Sequence, residues 1–210
     1  RRWLGSDKLA EVEGWRRLWG QGAFPVYSVQ LAPFRYGIPA FNCDPFDLPR
    51  LWEAQVAALA IPNTGIAGTM DVGNPQDIHP LRKREVGERL ARWALAKDYG
   101  RGDLVFSGPL YRSMQVEGTR VRVRFDHAES GLTTRDGRAP DGFELAGPDG
   151  NYVAAETRID GSTVVAWSAA VPAPEAVRFA WHEEAQPNLI NNAGLPALPF
   201  RIAPPGAPGR

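Results

Sequence analysis

The stretch NTGIAGTMDVG, residues 63–73, decides the fold class that the sequence predicts. It is short, rich in small residues and ends at a glycine, which is typical of a brief strand running into a loop. The segment before it, LPRLWEAQVAALA (48–60), carries apolar residues near helical spacing. The segment after it, PLRKREVGERLARWALAKDYG (80–100), has a clearer apolar stripe, and we expect Pro80 to begin that helix.

A further strand precedes this unit. FPVYSVQLA (24–32) is rich in β-branched and aromatic residues and follows the turn residues Gly20 and Gly22. The order strand, helix, strand, helix predicts a parallel α/β sheet. Two strands do not complete a sheet of that kind, so we expect the other strands to come from polypeptide outside these residues.

The pattern changes after about residue 103. VRVRFDH (121–127) and AVRFAWH (176–182) alternate with a period of two, and PDGN and DGS turns separate the short runs between them. This half predicts an antiparallel β-sandwich. We place the boundary at YGRGD (99–103), and we expect the closing APPGAPGR to be a disordered Pro/Gly tail.

Composition narrows the classes of partner. The 210 residues have a formal net charge of +0 and a pI near 7.0, which gives no electrostatic attraction to nucleic acid or to anionic lipid. No apolar run approaches the roughly 20 residues of a membrane span.

Cys43 is the single cysteine, so no internal disulfide forms, and we interpret it as a structural thiol. The chain opens without methionine, and we expect a fragment or a processed product.

The stretch NPQDIHPLRK (74–83) holds the candidate catalytic pair, Asp77 and His79. A residue before proline is held extended, so His79 should stand just outside the predicted helix, near the positive end of its dipole. That position favours a neutral ring, as a general base requires. Residues two apart in an extended segment point to the same side, so Asp77 could orient the ring. On spacing alone, a helix-entry turn is the more ordinary interpretation of this stretch.

Other histidines and the tryptophans allow weaker hypotheses. The spacing of His79, His127 and His182 fits no known metal-ligand pattern, so we predict no metal site. Among the seven tryptophans, Trp52 and Trp93 lie on apolar helix faces, while Trp167 and Trp181 are either core residues or platforms for a sugar ring. QPNLINNAGLPALPF (186–200) could line a cleft or pack the two halves together.

Several stretches together resemble the carbohydrate O-acetylesterases of the sialate O-acetylesterase type, a branch of the SGNH hydrolases. The similarity runs from about Trp15 to Arg201. Its stretches are WRRLWGQGAFPVYSVQLAPF, LPRLWEAQVAALAIPNTGIAGTMDVGNPQDIHP, VGERLARWALAKDYG, DLVFSGPLYRSM and PNLINNAGLPALPFR. By this resemblance, His79 is the catalytic histidine of the last SGNH block. The implied fold is α/β: the C-terminal part of a flavodoxin-like α/β/α hydrolase layer (1–102), followed by an antiparallel β-sandwich (103–202) and a tail (203–210).

The sequence departs from that family at two points. The general pattern has its acid three residues before the histidine, where this chain has Gln76. Asp77 would therefore act from a shorter spacing, or a backbone carbonyl would hold the ring, and Asp71 is a weaker candidate. The block with the nucleophilic serine is also missing, because no serine here matches its motif. The chain's serines are Ser6, Ser28, Ser107, Ser113, Ser130, Ser162 and Ser168.

The resemblance implies a serine-type esterase that removes acetyl groups from sialic acid or from a plant glycan such as xylan or xyloglucan. The serine would come from an N-terminal segment of the same protein, with no metal or organic cofactor and no nucleic acid or membrane partner. Because such substrates lie outside the cytoplasm, we expect a periplasmic or secreted protein. The alternative is a non-catalytic protein that binds carbohydrate, or acts as a scaffold, through the β-sandwich.

Overall fold

The computed structural model describes residues 3–37 and 43–204, with side chains from residue 9 onward. The first elements are helix α1 (Trp3–Trp19), strand β1 (Val26–Val29), helix α2 (Asp47–Ala57), a 3-10 turn (Ala58–Ala60), strand β2 (Thr64–Ala67) and helix α3 (Lys83–Lys97). Strands β1 and β2 pair in parallel, with Val26 opposite Thr64 and Val29 opposite Ala67. The predicted alternation of strand and helix is therefore present.

Helices cover both faces of the parallel pair. On one face, the Trp93 indole of α3 lies over Gly65, where a Cβ would stand only 2.6 Å from the ring; this close approach requires glycine. The same indole N–H donates to the Ile66 carbonyl at 2.8 Å. Helix α2 lies on the opposite face, over Val26 and Ser28, and α1 packs on α2.

The second half of the chain is built of antiparallel strands. They are β3 (Leu110–Glu117), β4 (Arg120–Asp126), β5 (Leu132–Thr134), β6 (Phe143–Ala146), β7 (Val153–Ala154), β8 (Glu156–Asp160), β9 (Thr163–Trp167), β10 (Ala176–Phe179), β11 (Leu189–Asn191) and β12 (Phe200–Ile202). One sheet has the order β3-β4-β9-β8 and the other β12-β10-β6-β7, while β5 pairs with β11. The predicted turns contain Gly150 and Gly161, both with positive φ. The predicted fold class is confirmed.

Within residues 3–37 and 43–204, one buried apolar cluster joins the two sheets to the α/β layer. The strands contribute Val121, Val123, Phe125, Phe143, Leu145, Val164, Ala166, Val177, Phe179 and Phe200. Leu48 and Trp52 of α2, and Met70 after β2, belong to the same cluster, and Trp52 and Met70 are fully buried. The sandwich therefore packs directly against the layer that carries the candidate histidine.

The beginning of α3 differs from the prediction. The helix starts at Lys83, with Arg82 as its N-cap, and not at Pro80. The Lys83 N–H bonds to the Leu81 carbonyl at 2.8 Å, which closes a tight turn between proline and helix. His79 therefore lies four residues before the helix, and because the dipole acts within a helix's first turn, that argument for a neutral ring no longer holds.

Helix α1 is an additional element that the sequence patterns did not predict. Of its described side chains, Val12 is fully buried, whereas Leu18 and Trp19 are exposed. Within the described residues, no helix combines the length and the apolar character needed to cross a membrane. Residues 205–210 of the predicted tail lie outside the described residues.

Candidate active site

The candidate site lies on the loop that follows the carboxyl end of β2, residues 68–82. In open α/β sheets, ligands bind beyond the carboxyl ends of the strands, so this is the expected edge. His79 and Asp77 are both exposed on this loop. The apolar neighbours Ile78 and Leu81 are exposed as well, Leu81 at 92%. The loop thus presents an exposed imidazole beside two exposed apolar side chains, among polar neighbours.

Two consecutive side chain-to-backbone turns shape the loop. The Asn74 carboxamide oxygen accepts the Gln76 N–H at 3.0 Å, and the Asp77 carboxylate accepts the His79 N–H at 2.9 Å. The Asp77 N–H in turn donates to the Asn74 carbonyl at 3.1 Å. Asn and Asp are suited to such turns because their short side chains reach the backbone two residues on. Asp77 therefore fixes the backbone of His79.

The imidazole of His79 makes no hydrogen bond to any other residue within the part of the chain that the structure describes. One Asp77 oxygen serves the backbone turn, so the two predicted site residues are adjacent but joined through the main chain. Contact between the Asp77 carboxylate and the ring stays a prediction.

Asp71, the weaker candidate for the acid, has a different partner. Both of its carboxylate oxygens accept hydrogen bonds from the Arg89 guanidinium at 2.7 Å, and the two side chains are 7% and 8% exposed. Arg89 also donates to the Gly68 carbonyl at 2.6 Å. This buried, bidentate ion pair ties α3 to the start of the loop, and it engages both Asp71 oxygens.

A buried polar pair fixes the first residues of the same loop to β1. The Gln30 carboxamide oxygen accepts the Thr69 N–H at 2.9 Å, and the Thr69 hydroxyl donates to the Gln30 carbonyl at 3.0 Å. Both residues are almost fully buried. Sequence reasoning missed this pair and the Asp71–Arg89 pair, although Gln30, a polar residue inside an apolar strand run, was a signal.

The segment that follows β10 contacts both this loop and the chain that follows β1. The Gln186 side-chain amide donates to the Gly73 carbonyl at 2.9 Å, while the Arg35 N–H donates to the Pro75 carbonyl at 3.0 Å. Residue Phe34 donates in turn to the Glu183 carbonyl at 3.1 Å. The segment after β10 therefore braces both the loop that carries His79 and the chain that follows β1.

The segment 186–200 packs the two halves of the chain together. Asn191 is fully buried, and its side chain donates to the carbonyls of Ser107 and His127 at 2.9 and 3.0 Å. Leu198 lies against Gly68, where a Cβ would stand 2.7 Å from the leucine side chain. Of the two roles open for this segment, the contacts favour packing.

Three of the candidate serines lie in strands or in the buried interior. Ser28 lies in β1, and its hydroxyl donates to the Gly65 carbonyl at 3.2 Å. Ser107 is buried, and its hydroxyl donates to the Gly108 carbonyl at 3.0 Å. Ser113 lies in β3. None of these positions is on the loop with His79.

The other two histidines are separate from the loop. His127 is half-buried, with φ of 59°, and burial lowers the pKa of its ring below the ordinary value. His182 is exposed, and its Nδ1 accepts the Glu184 N–H at 3.2 Å. Among the described residues, no three His, Cys, Asp or Glu side chains stand close enough together to hold a metal ion.

The tryptophans divide between core and surface. Trp52, Trp93 and Trp181 are buried, whereas Trp167 is half-exposed. Trp167 lines an open groove of about 590 Å³ on the sandwich, and the Arg120 guanidinium lies 5.3 Å from its ring centre. Trp167 stays a candidate platform for a sugar ring, with the Arg120 guanidinium over one face, whereas Trp181 is a core residue.

These features define an α/β protein in which a loop after a parallel strand presents a histidine and a β-sandwich braces that loop. The chain is similar to the crystal structure of XAC1771, a carbohydrate acetylesterase from Xanthomonas citri. Sequence identity is 39%, the TM-score is 0.88, and the match covers 95% of this chain but 46% of that one. The chain therefore spans a little under half of that enzyme. No protein-family model and no curated protein matches the chain.

Proposed function

We propose that this chain is the histidine-bearing part of a carbohydrate O-acetylesterase. The observation that carries the proposal is the likeness to the Xanthomonas citri acetylesterase, which extends over 95% of the chain at 39% identity. The exposed loop with His79, at the carboxyl edge of the parallel strands, supports it. Histidine is the side chain most often used for proton transfer near neutral pH.

In the proposed mechanism, a serine hydroxyl attacks the carbonyl carbon of an acetyl ester on a sugar. His79 takes the hydroxyl proton and returns it to the departing sugar oxygen, which leaves an acetyl-enzyme. Water then attacks this intermediate, again with His79 as the base, and acetate is released. Asp77 fixes the backbone of His79 through one oxygen and stabilises the charged ring through the other.

The nucleophilic serine comes from polypeptide outside this chain. This part of the proposal is supported by the share of the Xanthomonas citri enzyme that the chain leaves unmatched, more than half of its length. Substrates are acetylated sialic acid or acetylated plant polysaccharide such as xylan or xyloglucan. Because these glycans lie outside the cytoplasm, the protein acts in the periplasm or after secretion.

Turnover of p-nitrophenyl acetate by the assembled enzyme tests the role of His79. We expect His79→Ala to lower kcat by about 1,000-fold or more, because the hydroxyl then has no proton acceptor. The side chain is exposed, so the thermal midpoint should stay unchanged. His127→Asn, a change to a histidine outside the loop, serves as the matched control and should keep its turnover. Full activity in His79→Ala would refute the assignment.

A second variant separates the two roles of Asp77. In the wild type, the Asp77 carboxylate accepts the His79 N–H at 2.9 Å. Asp77→Asn keeps an oxygen that can accept this bond but removes the negative charge. If the charge stabilises the imidazolium, kcat falls by about 100- to 10,000-fold while the fold is retained. If Asp77 only holds the turn, Asp77→Asn keeps the wild-type kcat, and the ring is oriented by another group.

Carbohydrate binding without catalysis is the second candidate function. The groove on the sandwich, with Trp167 half-exposed in its wall, favours it because apolar sugar faces stack on indole rings. The affinities of the wild type and of Trp167→Ala for acetylated xylan and for sialylated glycan distinguish a binding protein from an esterase. Glycan affinity that depends on Trp167, in a protein that hydrolyses no acetyl ester, would favour the binding protein.

A further inference from the structure

A second cleft, of about 400 Å³, lies between the α/β layer and the β-sandwich. On the α/β side it is bounded by Tyr27 and Thr64, near the points where β1 and β2 begin, and on the sandwich side by Leu110 of β3. The loop with His79 follows the other end of β2, about 10 Å away along that strand. The cleft is therefore separate from the candidate active site.

Aromatic rings form one wall of this cleft. The centre of the Trp93 indole lies 6.1 Å from the Tyr27 ring and 4.6 Å from the Phe106 ring. The Trp93 N–H is bonded to the Ile66 carbonyl at 2.8 Å, so the indole is fixed. In size and lining, the cleft has the form of small-molecule sites, which measure roughly 300–1,000 Å³ and combine mainly apolar walls with a few polar groups.

Two exposed, charged side chains line the same cleft. The Lys97 ammonium lies 4.2 Å from the centre of the Phe106 ring, and Asp98 is the next residue in the chain. Among the residues that the structure describes, Lys97 has no hydrogen-bond or ion-pair partner, and the Asp98 carboxylate accepts only the Tyr27 hydroxyl, at 2.6 Å. The ammonium donors and one carboxylate oxygen are therefore free to bind a ligand.

The Tyr27 hydroxyl orients the Asp98 carboxylate. Burial raises the pKa of Tyr27 above its ordinary value, and the hydrogen bond to Asp98 adds to the rise. The hydroxyl therefore keeps its proton near neutral pH and donates to the same Asp98 oxygen. The other oxygen is thus held in place before a ligand binds, which lowers the entropic cost of binding.

The chemistry of the lining favours a neutral sugar over an ion. The one lysine and the one aspartate of the lining carry opposite charges, so the cleft has no net charge to attract an anion or a cation. It combines ammonium donors, a carboxylate acceptor and aromatic surface. A pyranose ring matches all three, because it carries hydroxyl groups around its rim and C–H groups on its faces.

We propose that this cleft binds a neutral pyranose unit of the polysaccharide, at a site separate from the one that holds the acetyl ester. That the sugar belongs to the substrate polysaccharide rests on the proposed function. Asp98 accepts a hydrogen bond from one sugar hydroxyl, Lys97 donates to another, and a C–H face packs against the aromatic wall. A polysaccharide chain long enough to reach both sites is then retained by two contacts rather than one.

Binding of unacetylated xylohexaose to the assembled enzyme tests the proposal, because this neutral probe has no ester to hydrolyse. In NMR titrations, we expect the amide signals of Asn63, Lys97 and Asp98 to shift. The dissociation constant from these shifts should rise at least about 10-fold in Lys97→Met, because hydrogen bonds to charged groups are among the stronger ones. Lys83→Met removes a lysine of the same helix outside the cleft; it is the matched control and should keep the wild-type affinity.

Two further variants make the assignment specific. Asp98→Asn keeps an oxygen for the Tyr27 hydroxyl but removes the charged acceptor, so it should also weaken binding at the cleft by about 10-fold. Trp167→Ala, in the other groove, should leave the shifts at Asn63 and Lys97 as they are in the wild type. The proposal is overturned by wild-type affinity in both Lys97→Met and Asp98→Asn. Shifts confined to the loop with His79 or to the groove with Trp167 would overturn it too.

An anionic probe tests the chemical class of the ligand. With no net charge in the lining, sialyllactose should bind at the cleft no more tightly than xylohexaose does. Tighter binding of sialyllactose, lost in Lys97→Met, would show that the lysine recruits an anion, and the assignment of a neutral sugar would fail.

The outcome at the cleft is separable from the chemistry at His79. An assembled protein that binds xylohexaose at the cleft but hydrolyses no acetyl ester would refute the esterase function and leave the sugar site standing. Turnover of acetyl esters without xylohexaose binding at the cleft would refute the sugar site and leave the esterase function standing.

Discussion

At the scale of single residues, the Asp71–Arg89 pair is the strongest polar anchor of the candidate loop. Removing one member leaves an uncompensated charge in a site where both side chains are less than a tenth exposed. We expect Arg89→Met to lower the free energy of unfolding by about 3–5 kcal/mol. Urea denaturation measures this change. Asp71→Asn combined with Arg89→Met should recover part of the loss, because no buried charge is then left unpaired.

An exposed ion pair on the same helix provides the control. Arg84 and Glu88 lie one turn apart at 2.8 Å, with side chains 88% and 56% exposed. Solvent screens such a pair, so Arg84→Met should leave the urea midpoint nearly unchanged. Equal losses for Arg84→Met and Arg89→Met would show that burial does not decide the effect.

His127 provides a prediction about pH. Burial lowers the pKa of its ring below the ordinary value of 6.5, while the charges of Glu129 and Asp126 oppose this less strongly. The unfolded chain then binds more protons between the two pKa values, so stability rises with pH in that interval. The free energy of unfolding therefore decreases as the pH falls below about 6.5, the pKa of the ring in the unfolded chain. Asparagine tolerates the left-handed backbone, so His127→Asn should make the urea midpoint depend less on pH between 7.5 and 5.5. The same pH dependence in His127→Asn and the wild type would contradict this prediction.

Sequence reasoning at this scale was limited to local relations. The residue before Pro80 was predicted to be extended and outside the helix; the structure places Asp77 and His79 on an exposed loop outside the helix, where the backbone bends at Ile78 and His79. Sequence spacing could not supply Arg89 as the partner of Asp71, since 18 residues separate them and a helix must fold back to join them. Spacing made His79 a candidate, and the resemblance to an esterase family favoured its catalytic role over a helix-entry turn.

At the scale of elements, the strands were the more predictable part. Alternation with a period of two marked β4 and β10, and Gly150 and Gly161 supplied the turns between strands. Helix α1 was missed because its apolar side chains do not form one stripe: Val12 is buried, whereas Leu18 and Trp19 face solvent. The start of α3 was misplaced because proline suits a first turn but does not require one.

The brace between sandwich and loop makes an element-level prediction that rests on the proposed function. Gln186 holds the Gly73 carbonyl, six residues before His79. We expect Gln186→Ala to lower kcat for p-nitrophenyl acetate by about 10- to 100-fold with KM little changed, because small displacements of a catalytic group cost rate more than binding. Gln115→Ala, an exposed glutamine of β3, is the matched control and should keep wild-type kinetics. Equal kcat values for the two variants would mean that the brace does not position His79.

At the scale of the whole molecule, one core serves both halves of the chain. Met70 follows β2 and is fully buried in the same cluster as the strands of the sandwich. Near residues 99–103, where the sequence predicts a domain boundary, the pattern of secondary structure changes but the hydrophobic core continues across. The shared cluster could not be predicted, since it depends on how two separately patterned segments pack.

The shared core predicts that the chain unfolds in one cooperative transition. In calorimetry, the calorimetric and van't Hoff enthalpies should agree, and proteolysis at residues 99–103 should release no stable half. Met70→Ala should lower the free energy of unfolding by about 2–5 kcal/mol and still give one transition, because Met70 belongs to the buried cluster that both halves share. Met114→Ala, at the half-buried methionine of β3, should cost less. Two separate transitions, with Met70→Ala moving only the first, would show that the α/β layer and the sandwich are stable independently.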